Sequence, residues 1–459
     1  MNWTRKQLSI LSIVAITSFM GTFLVSSINI ALPAIEQSFG LNALELSWVV
    51  TSFLLSTAIF LLPVGRWGDL SGIKKLFKIG VVIFSLSSLI CGIAGTGFWL
   101  IVFRFIQGIG AAFTSTTGPA ILVSAFSPKH RGRVLGMSVA AVYLGLAFGP
   151  FVGGFLTQYL GWRSIFFISA GLGLFTAIIA FVFLGKDDIV DDKKKKTNLI
   201  GTMFYIIGLI CLVYGSTQIP AAWAWIIMGV GAIFLVVFWF IETGSSTPVI
   251  DTKLFSQNRL FAYSNIAALI NYSATFAIVF LLSLFLQKVR GLNPRDAGLI
   301  LVAQPVIMAI FSPIAGRLSD KIQARFLTSI GMAMCTIGLT VFCFIGETTP
   351  ISLIVANLIW LGLGFALFSS PNMNTIMGSV PKTVYGQASG TAATMRVLGQ
   401  IVSMTIVSLF FAASFGKTTM KYVNPDVFIK AINWAFASFA TISVFGIYFS
   451  SKRGKVQKN

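Results

Sequence analysis

Residues 65–75 read GRWGDLSGIKK, and residues 316–325 read GRLSDKIQAR. Both stretches set Gly-Arg ahead of an aspartate, Asp69 and Asp320. In both, a basic residue follows nine positions after the first glycine, Lys74 and Arg325. Each copy closes an apolar run of the length that crosses a bilayer as a helix, about 20 residues. A charged loop recurring at the end of two such runs marks an internal repeat. Two parallel six-helix repeats, related by an axis along the membrane normal, are an architecture built for alternating access.

Composition agrees with a membrane setting. Of 459 residues, 56% are apolar, 14% aromatic and only 10% charged, whereas a soluble chain carries about a quarter charged residues. A water-soluble globule and a disordered chain are both excluded. A 19-residue hydropathy window gives fourteen candidate helices: 9–32, 46–65, 77–95, 98–124, 132–159, 164–185, 200–217, 221–241, 261–286, 297–316, 326–345, 350–373, 387–413 and 429–450. Alternating ten-residue strands are absent, which excludes a barrel. The expected fold is an all-α polytopic membrane protein.

The net charge of +20 asks for a polyanion at first sight. Sorting the charges by side answers otherwise. With both termini cytoplasmic, the inner segments hold 24 of the 33 Lys and Arg and the outer segments seven; Arg104 and Arg396 lie inside helices. That is the positive-inside pattern, so no nucleic-acid partner is expected. The chain is read as a multi-pass protein of the cell membrane, monomeric, in contact with the lipid bilayer.

The stretch KDDIVDDKKKK at 186–196 divides the chain. Expected are a six-helix bundle at 1–185, a charged cytoplasmic linker at 186–199, two inserted helices at 200–241, a second six-helix bundle at 242–450 and a basic tail at 451–459. Cys91, Cys211, Cys335 and Cys343 all lie in apolar runs with no ligand spacing, and read as buried thiols. No nucleophile elbow, phosphate-binding loop or His/Cys ligand set is present. An enzyme is not expected, nor a cofactor; the proton motive force is the expected energy source.

Several residues carry mechanical or polar meaning. In the repeated loop, Gly65 and Gly72 permit a sharp turn, while Arg66, Lys74 and Lys75 can pair with Asp69, which sits where a helix dipole favours a carboxylate. Gly316, Arg317, Asp320 and Arg325 are the second set. It departs from the first at Gln323, which stands where the first copy has Gly72. Gly145, Gly149 and Gly153 recur every four residues in the fifth helix and make one small-residue face for close packing. Pro150 removes a backbone donor and bends that helix, which membrane helices tolerate. Plain tight packing accounts for this face equally well. Arg104 lies about six residues inside its helix, where charge is costly, so it needs a partner.

These motifs carry a resemblance. GRWGDLSGIKK resembles the cytoplasmic loop signature of the major facilitator superfamily. Gly136, Gly145, Gly149-Pro150 and Gly153 fit the spacing of the antiporter signature of its drug exporters. RFIQGIGAA at 104–112, with Arg104 and Gln107, resembles the arginine motif of the family. FLVSSINIALP at 23–33 resembles the signature of the fourteen-helix drug:proton antiporters, keeping Ser26, Asn29 and Ala31-Leu32-Pro33. GQASGTAATMRVLGQ at 386–400 resembles the glycine-rich helix with a central arginine, here Arg396. The resemblance implies two six-helix bundles plus two inserted helices. It also implies a latch around Asp69, and coupling or translocation at Asn29, Arg104, Gln107 and Arg396. The function implied is export of a small amphiphilic compound in exchange for protons.

One departure bears on substrate. Many members of that family have Asp where this chain has Leu24, and no other acid replaces it: all thirteen Asp and Glu map to loops or helix ends. A cavity without a buried acid is biased toward neutral or anionic substrates. The alternative reading is therefore an exporter or flippase of an endogenous anionic or lipid-like metabolite with weak or no proton coupling. Glu36 and Glu45, if they face the outer vestibule, and Asp69 are the remaining acids for proton exchange. Asn271 and Tyr272 are the preferred cavity residues, with Tyr143, Gln304 and Asn357 as further candidates, although each suits a helix-to-helix hydrogen bond as well.

Overall fold

Long apolar windows bounded by capping residues give fourteen membrane-length helices in the computed structural model, which describes residues 3–126, 128–185, 198–219, 221–245, 252–381, 385–416 and 423–454. In chain order these are α1 Arg5–Phe39, α2 Ala43–Gly68, α3 Ile73–Gly92, α4 Gly97–Ala125, α5 Gly136–Leu160, α6 Arg163–Phe183, α7 Leu199–Thr217, α8 Ala222–Gly244, α9 Arg259–Val289, α10 Pro294–Ser319, α11 Ala324–Phe342, α12 Ile351–Gly378, α13 Ala388–Phe415 and α14 Pro425–Lys452. Most of the expected charged linker, residues 186–197, and the tail from 455 lie outside the described residues. So do the side chains of Asp69 and Asp320.

Local chemistry sets the ends. Thr4 and Gln7 form a reciprocal capping box at the start of α1, and Asn42 and Glu45 form another at the start of α2. Gly72 turns α2 into α3 at φ 94°, a conformation a Cβ would penalise. Its counterpart Gln323 sits at φ −61° and ψ 125°. The second loop thus takes an ordinary extended path and has no need of glycine. Span α9 is interrupted: it runs as helices Arg259–Thr275 and Ala277–Leu284 and ends in a π turn, Phe285–Val289.

Packing repeats between the halves. In the first, α1 lies on α5, α2 on α4, and α3 on α4 and α6; in the second, α9 lies on α13, α10 on α12, and α11 on α12 and α14. Adding eight to each label of the first set gives the second. Between the halves the contacts pair in the same way, α2 with α13 and α5 with α10, and α1 meets α9. The inserted α7 and α8 pack on one another. α7 also lies against α2 and α13, where the Tyr205 hydroxyl donates to the Ala58 carbonyl at 2.9 Å. One of the two seams between the halves is thereby covered.

Candidate functional site

Fourteen spans return both ends of the chain to one face, called here the terminal face; the opposite one is the far face. At the far face the halves close on each other through polar contacts. Glu36 at the end of α1 is buried and forms an ion pair with Lys288 in the π turn of α9. One residue earlier, Gln287 donates to the Ile30 carbonyl of α1 at 2.9 Å. Ser47 of α2 and Ser408 of α13 place their hydroxyls 2.9 Å apart. Against α5, the start of α10 approaches so closely that a Cβ on Gly154 would meet the Pro294 carbonyl at 2.5 Å, and one on Gly298 would strike the Pro150 carbonyl.

Of the two outer acids, Glu36 is buried and does not open onto a vestibule, whereas Glu45 is exposed. Glu36 is spent on Lys288, because burial of a carboxylate demands a cation. The Glu45 side chain accepts from the Asn42 backbone amide at 2.9 Å and caps α2.

The glycine face of α5 packs inside its own half. Gly145, Gly149 and Gly153 meet a hydroxyl ladder on α1: Thr22 donates to the Val142 carbonyl at 3.0 Å, Ser26 to Leu146 at 3.3 Å, and Ser27 to Gly149 at 2.9 Å. A Cβ on Gly145 would come within 2.5 Å of the Phe19 carbonyl, and one on Gly153 within 2.7 Å of the Ser27 Cβ. Gly136, by contrast, has open space beside it. Gly154 and the Pro150 carbonyl make the contact with the other half. The adjacent Gly153-Gly154 pair was the sequence signal for that second face.

Arg104 is fully buried in α4. Its Nε donates to the Val49 carbonyl at 3.0 Å, its Nη1 to Gln107 Oε1 at 2.5 Å, and its guanidinium lies 4.4 Å from the centre of the Phe53 ring. Gln107 passes the chain on to Ser88 at 2.6 Å. The partner that burial requires is thus a carbonyl, an amide and an aromatic face, and no carboxylate. Leu24 is fully buried. Asn29 is buried as well, with its Oδ1 unpartnered.

The cavity candidates separate into two groups. Asn271 donates to the Met332 sulfur at 3.0 Å and Asn357 to the Gly338 carbonyl at 2.8 Å, so both tie neighbouring helices within the second half. Gln304 is buried where α10 crosses α12. Tyr143, Tyr272 and Arg396 come together between the halves. The Tyr143 hydroxyl from α5 lies 3.1 Å from Ser369 Oγ of α12. Tyr272 of α9 lies beside Ser369 and the Arg396 guanidinium of α13. All four residues are half-buried. Phe365 stands edge-on to the Tyr272 ring with centroids 5.5 Å apart.

In the two repeated loops, Gly65 approaches Thr116 of α4 and Gly316 approaches Ser370 of α12, equivalent places in the two halves. Arg66 has a buried Nε without a partner, and Arg325 stacks on Phe326. Lys74 and Lys75 are engaged in contacts of their own. Arg317 is exposed.

Sequence reading missed one buried cation. Arg453, expected in a solvated tail, turns back at the end of α14. Its guanidinium donates to Asn372 Oδ1 at 2.8 Å, to Ser264 Oγ at 3.3 Å and to Thr328 Oγ1, and its Nε to the Ser450 carbonyl at 2.9 Å. It ties α9, α11, α12 and α14 together at the terminal face.

Comparison with known proteins places this arrangement. The model of the Major Facilitator Superfamily matches residues 11–404. The riboflavin transporter RibZ of Clostridioides difficile (strain 630) is 30% identical over 98% of this chain and 99% of its own. The multidrug resistance protein Stp of Mycobacterium tuberculosis (strain ATCC 25618 / H37Rv) is 30% identical over 92% of this chain and 79% of its own. Among solved structures, a bacterial homologue of the human lysosomal transporter Spinster, in an inward-facing and unoccupied conformation, superposes with a TM-score of 0.70 at 15% identity, over 98% of both chains.

Proposed function

The chain belongs to the major facilitator superfamily, and from that premise we propose that it is a secondary active exporter of small amphiphilic compounds, driven by proton exchange. It is a multi-pass membrane transporter and not an enzyme. The proposal adds direction, cargo and coupling. We place the terminal face in the cytoplasm of a cell whose plasma membrane the protein spans, in keeping with the positive-inside pattern. Substrate enters from the cytoplasm or inner leaflet, the halves rock, and the far-face contacts part to release it outside.

The observation that carries this reading is the polar closure of the far face above the half-buried Tyr143–Arg396 cluster. Glu36–Lys288, Gln287–Ile30 and Ser47–Ser408 all join one half to the other. The cluster lies on the cytoplasmic side of that closure. Opening the far face must break the Glu36–Lys288 pair, which frees the carboxylate toward the outside medium, where a proton gradient delivers protons. We assign the proton to Glu36 on that ground. Relatives named for multidrug resistance support the export direction.

A second reading has its own observation. Leu24 is buried where many drug:proton antiporters place an aspartate, and the Arg104 network contains no acid. Export of an anionic or lipid-like metabolite with little proton coupling follows from that; the relative named for riboflavin fits a planar, polar cargo.

A substrate panel in proteoliposomes, with a pH dye reporting proton flux, separates the two. Gradient-dependent movement of amphiphiles with counterflow of protons, lost in Glu36→Gln, is the expected result. Substrate movement at full rate without any proton flux would overturn the coupling.

A further inference from the structure

We propose that Arg396, beside Tyr272 and between the two halves, is an anion-binding subsite on the translocation path, and that it selects substrates carrying a carboxylate or phosphate beside a planar aromatic ring. The inference rests on the transport reading above and adds the chemistry of the cargo.

Two arginines, Arg104 and Arg396, lie deep inside spans, and their surroundings differ. Arg104 is fully enclosed, with a carbonyl, a glutamine and a phenyl ring as partners. No substrate reaches it. Arg396 is half-buried, beside Tyr272, with no carboxylate in ion-pair reach among the described residues. A guanidinium carries five N–H donors in a rigid fork, and Tyr272 occupies few of them. A cation at membrane depth without a counter-ion is costly unless something supplies the charge. The unfilled donors and the missing anion have the same remedy, a bidentate oxyanion from the cargo.

The neighbours fit a ring beside that anion. Tyr143 from the first half and Tyr272 from the second approach one another through Ser369, and Phe365 stands edge-on to Tyr272. Aromatic side chains take a planar partner by stacking or edge contact. Rise along the helix puts Tyr143, Ser369 and Arg396 roughly 10–13 Å from the terminal face. The helix contact beneath them is tight: a Cβ on Gly399 would meet the Leu269 carbonyl at 2.5 Å and the Tyr272 Cβ at 2.8 Å. That fixes the α9–α13 crossing and with it the spacing between Tyr272 and Arg396. Because the cluster takes residues from both halves, an anion bound there bridges them and senses whether they are closed.

The test uses two xanthene dyes of similar shape and opposite charge, fluorescein and rhodamine 123. Binding to the purified full chain in phosphatidylcholine nanodiscs is read by fluorescence anisotropy. Fluorescein is expected to bind more tightly than rhodamine 123. Arg396→Gln should weaken fluorescein by roughly tenfold or more, the size of a lost charge-assisted contact, and should not weaken rhodamine 123, whose own positive charge gains nothing from the guanidinium. Arg396→Lys keeps the charge without the fork and should fall between; it also serves if the glutamine variant does not fold. Tyr272→Phe should weaken fluorescein by a smaller factor. Equal fluorescein affinity in Arg396→Gln, or preference for rhodamine 123, overturns the proposal. So does displacement of fluorescein by added phosphatidylglycerol but not by free benzoate, which would give the guanidinium to a lipid headgroup. Vectorial movement in vesicles is a separate measurement. A chain that binds fluorescein through Arg396 yet moves neither dye would sink the export reading and leave the subsite standing.

Discussion

Arg453 shows how much one residue at the edge of the membrane can hold. Its guanidinium meets Asn372, Ser264, Thr328 and the Ser450 carbonyl, all neutral acceptors. Removing it strands those polar groups at the junction of four helices, each costing about 1–3 kcal/mol if left unsatisfied. Arg453→Ala is therefore expected to lower the midpoint of thermal unfolding in detergent by several degrees, while Lys452→Ala, one residue away and exposed, leaves it unchanged. Equal midpoints for both variants would show that the buried donors do not hold the bundle. The two interior arginines were legible in the sequence because a charge inside an apolar run stands out. Arg453 was not: it belongs by composition to a basic terminal segment, and only the path of its side chain into the helix junction separates a buried donor from a topology charge. Tyr143, Tyr272 and Arg396 were each marked as polar positions in apolar runs, yet their meeting depends on three different helices, which spacing along one chain does not encode.

At the scale of elements, the glycine signature of α5 divides by what each position faces. Gly145, Gly149 and Gly153 lie against Thr22, Ser26 and Ser27, where α1 backbone atoms cannot retreat. Gly136 borders open space. A ranking follows. Gly136→Ala should be neutral or slightly stabilising, since alanine is the better helix former by about 1 kcal/mol. Gly149→Ala should cost yield and thermal stability, because its Cβ would lie 2.8 Å from Ser26 Oγ and 3.1 Å from the Phe23 carbonyl. Expression and size-exclusion profiles over temperature measure both; equal behaviour of the two variants would refute the assignment of the face. The span positions themselves were legible, because length and hydropathy are local properties. Which helix fills a smooth groove is a long-range property. The only hint was that Ser18, Thr22 and Ser26 repeat at the same four-residue interval as the glycines. The π turn that carries Gln287 and Lys288 left no such trace: Phe-Leu-Gln-Lys-Val reads as the end of an ordinary helix.

For the molecule as a whole, the symmetry of contacts limits how it can move. The halves meet along α2–α13 and α5–α10, related seams, but α7 covers only the first, held there by Tyr205 on Ala58. α8 turns most of its surface outward. A cycle that opens the far face must part α2 from α13 beneath that cover, at Ser47 and Ser408. Both are buried, with hydroxyls 2.9 Å apart, so cysteines at these positions place two sulfurs close to the roughly 2.05 Å of a disulfide. The four native cysteines are unpaired, and the parent chain serves as the control for their oxidation. Oxidising Ser47→Cys/Ser408→Cys in proteoliposomes should halt transport to below about a tenth of the reduced rate, and dithiothreitol should restore it. On the proposed cycle a locked far face leaves Arg396 within reach from the terminal face, so fluorescein binding in the oxidised protein should stay within about twofold of the reduced value. That contrast distinguishes a jammed cycle from a damaged site. Undiminished transport with the cross-link complete would mean that the halves part elsewhere, and the closure at Ser47 and Ser408 would then be static packing between halves that never separate at that point.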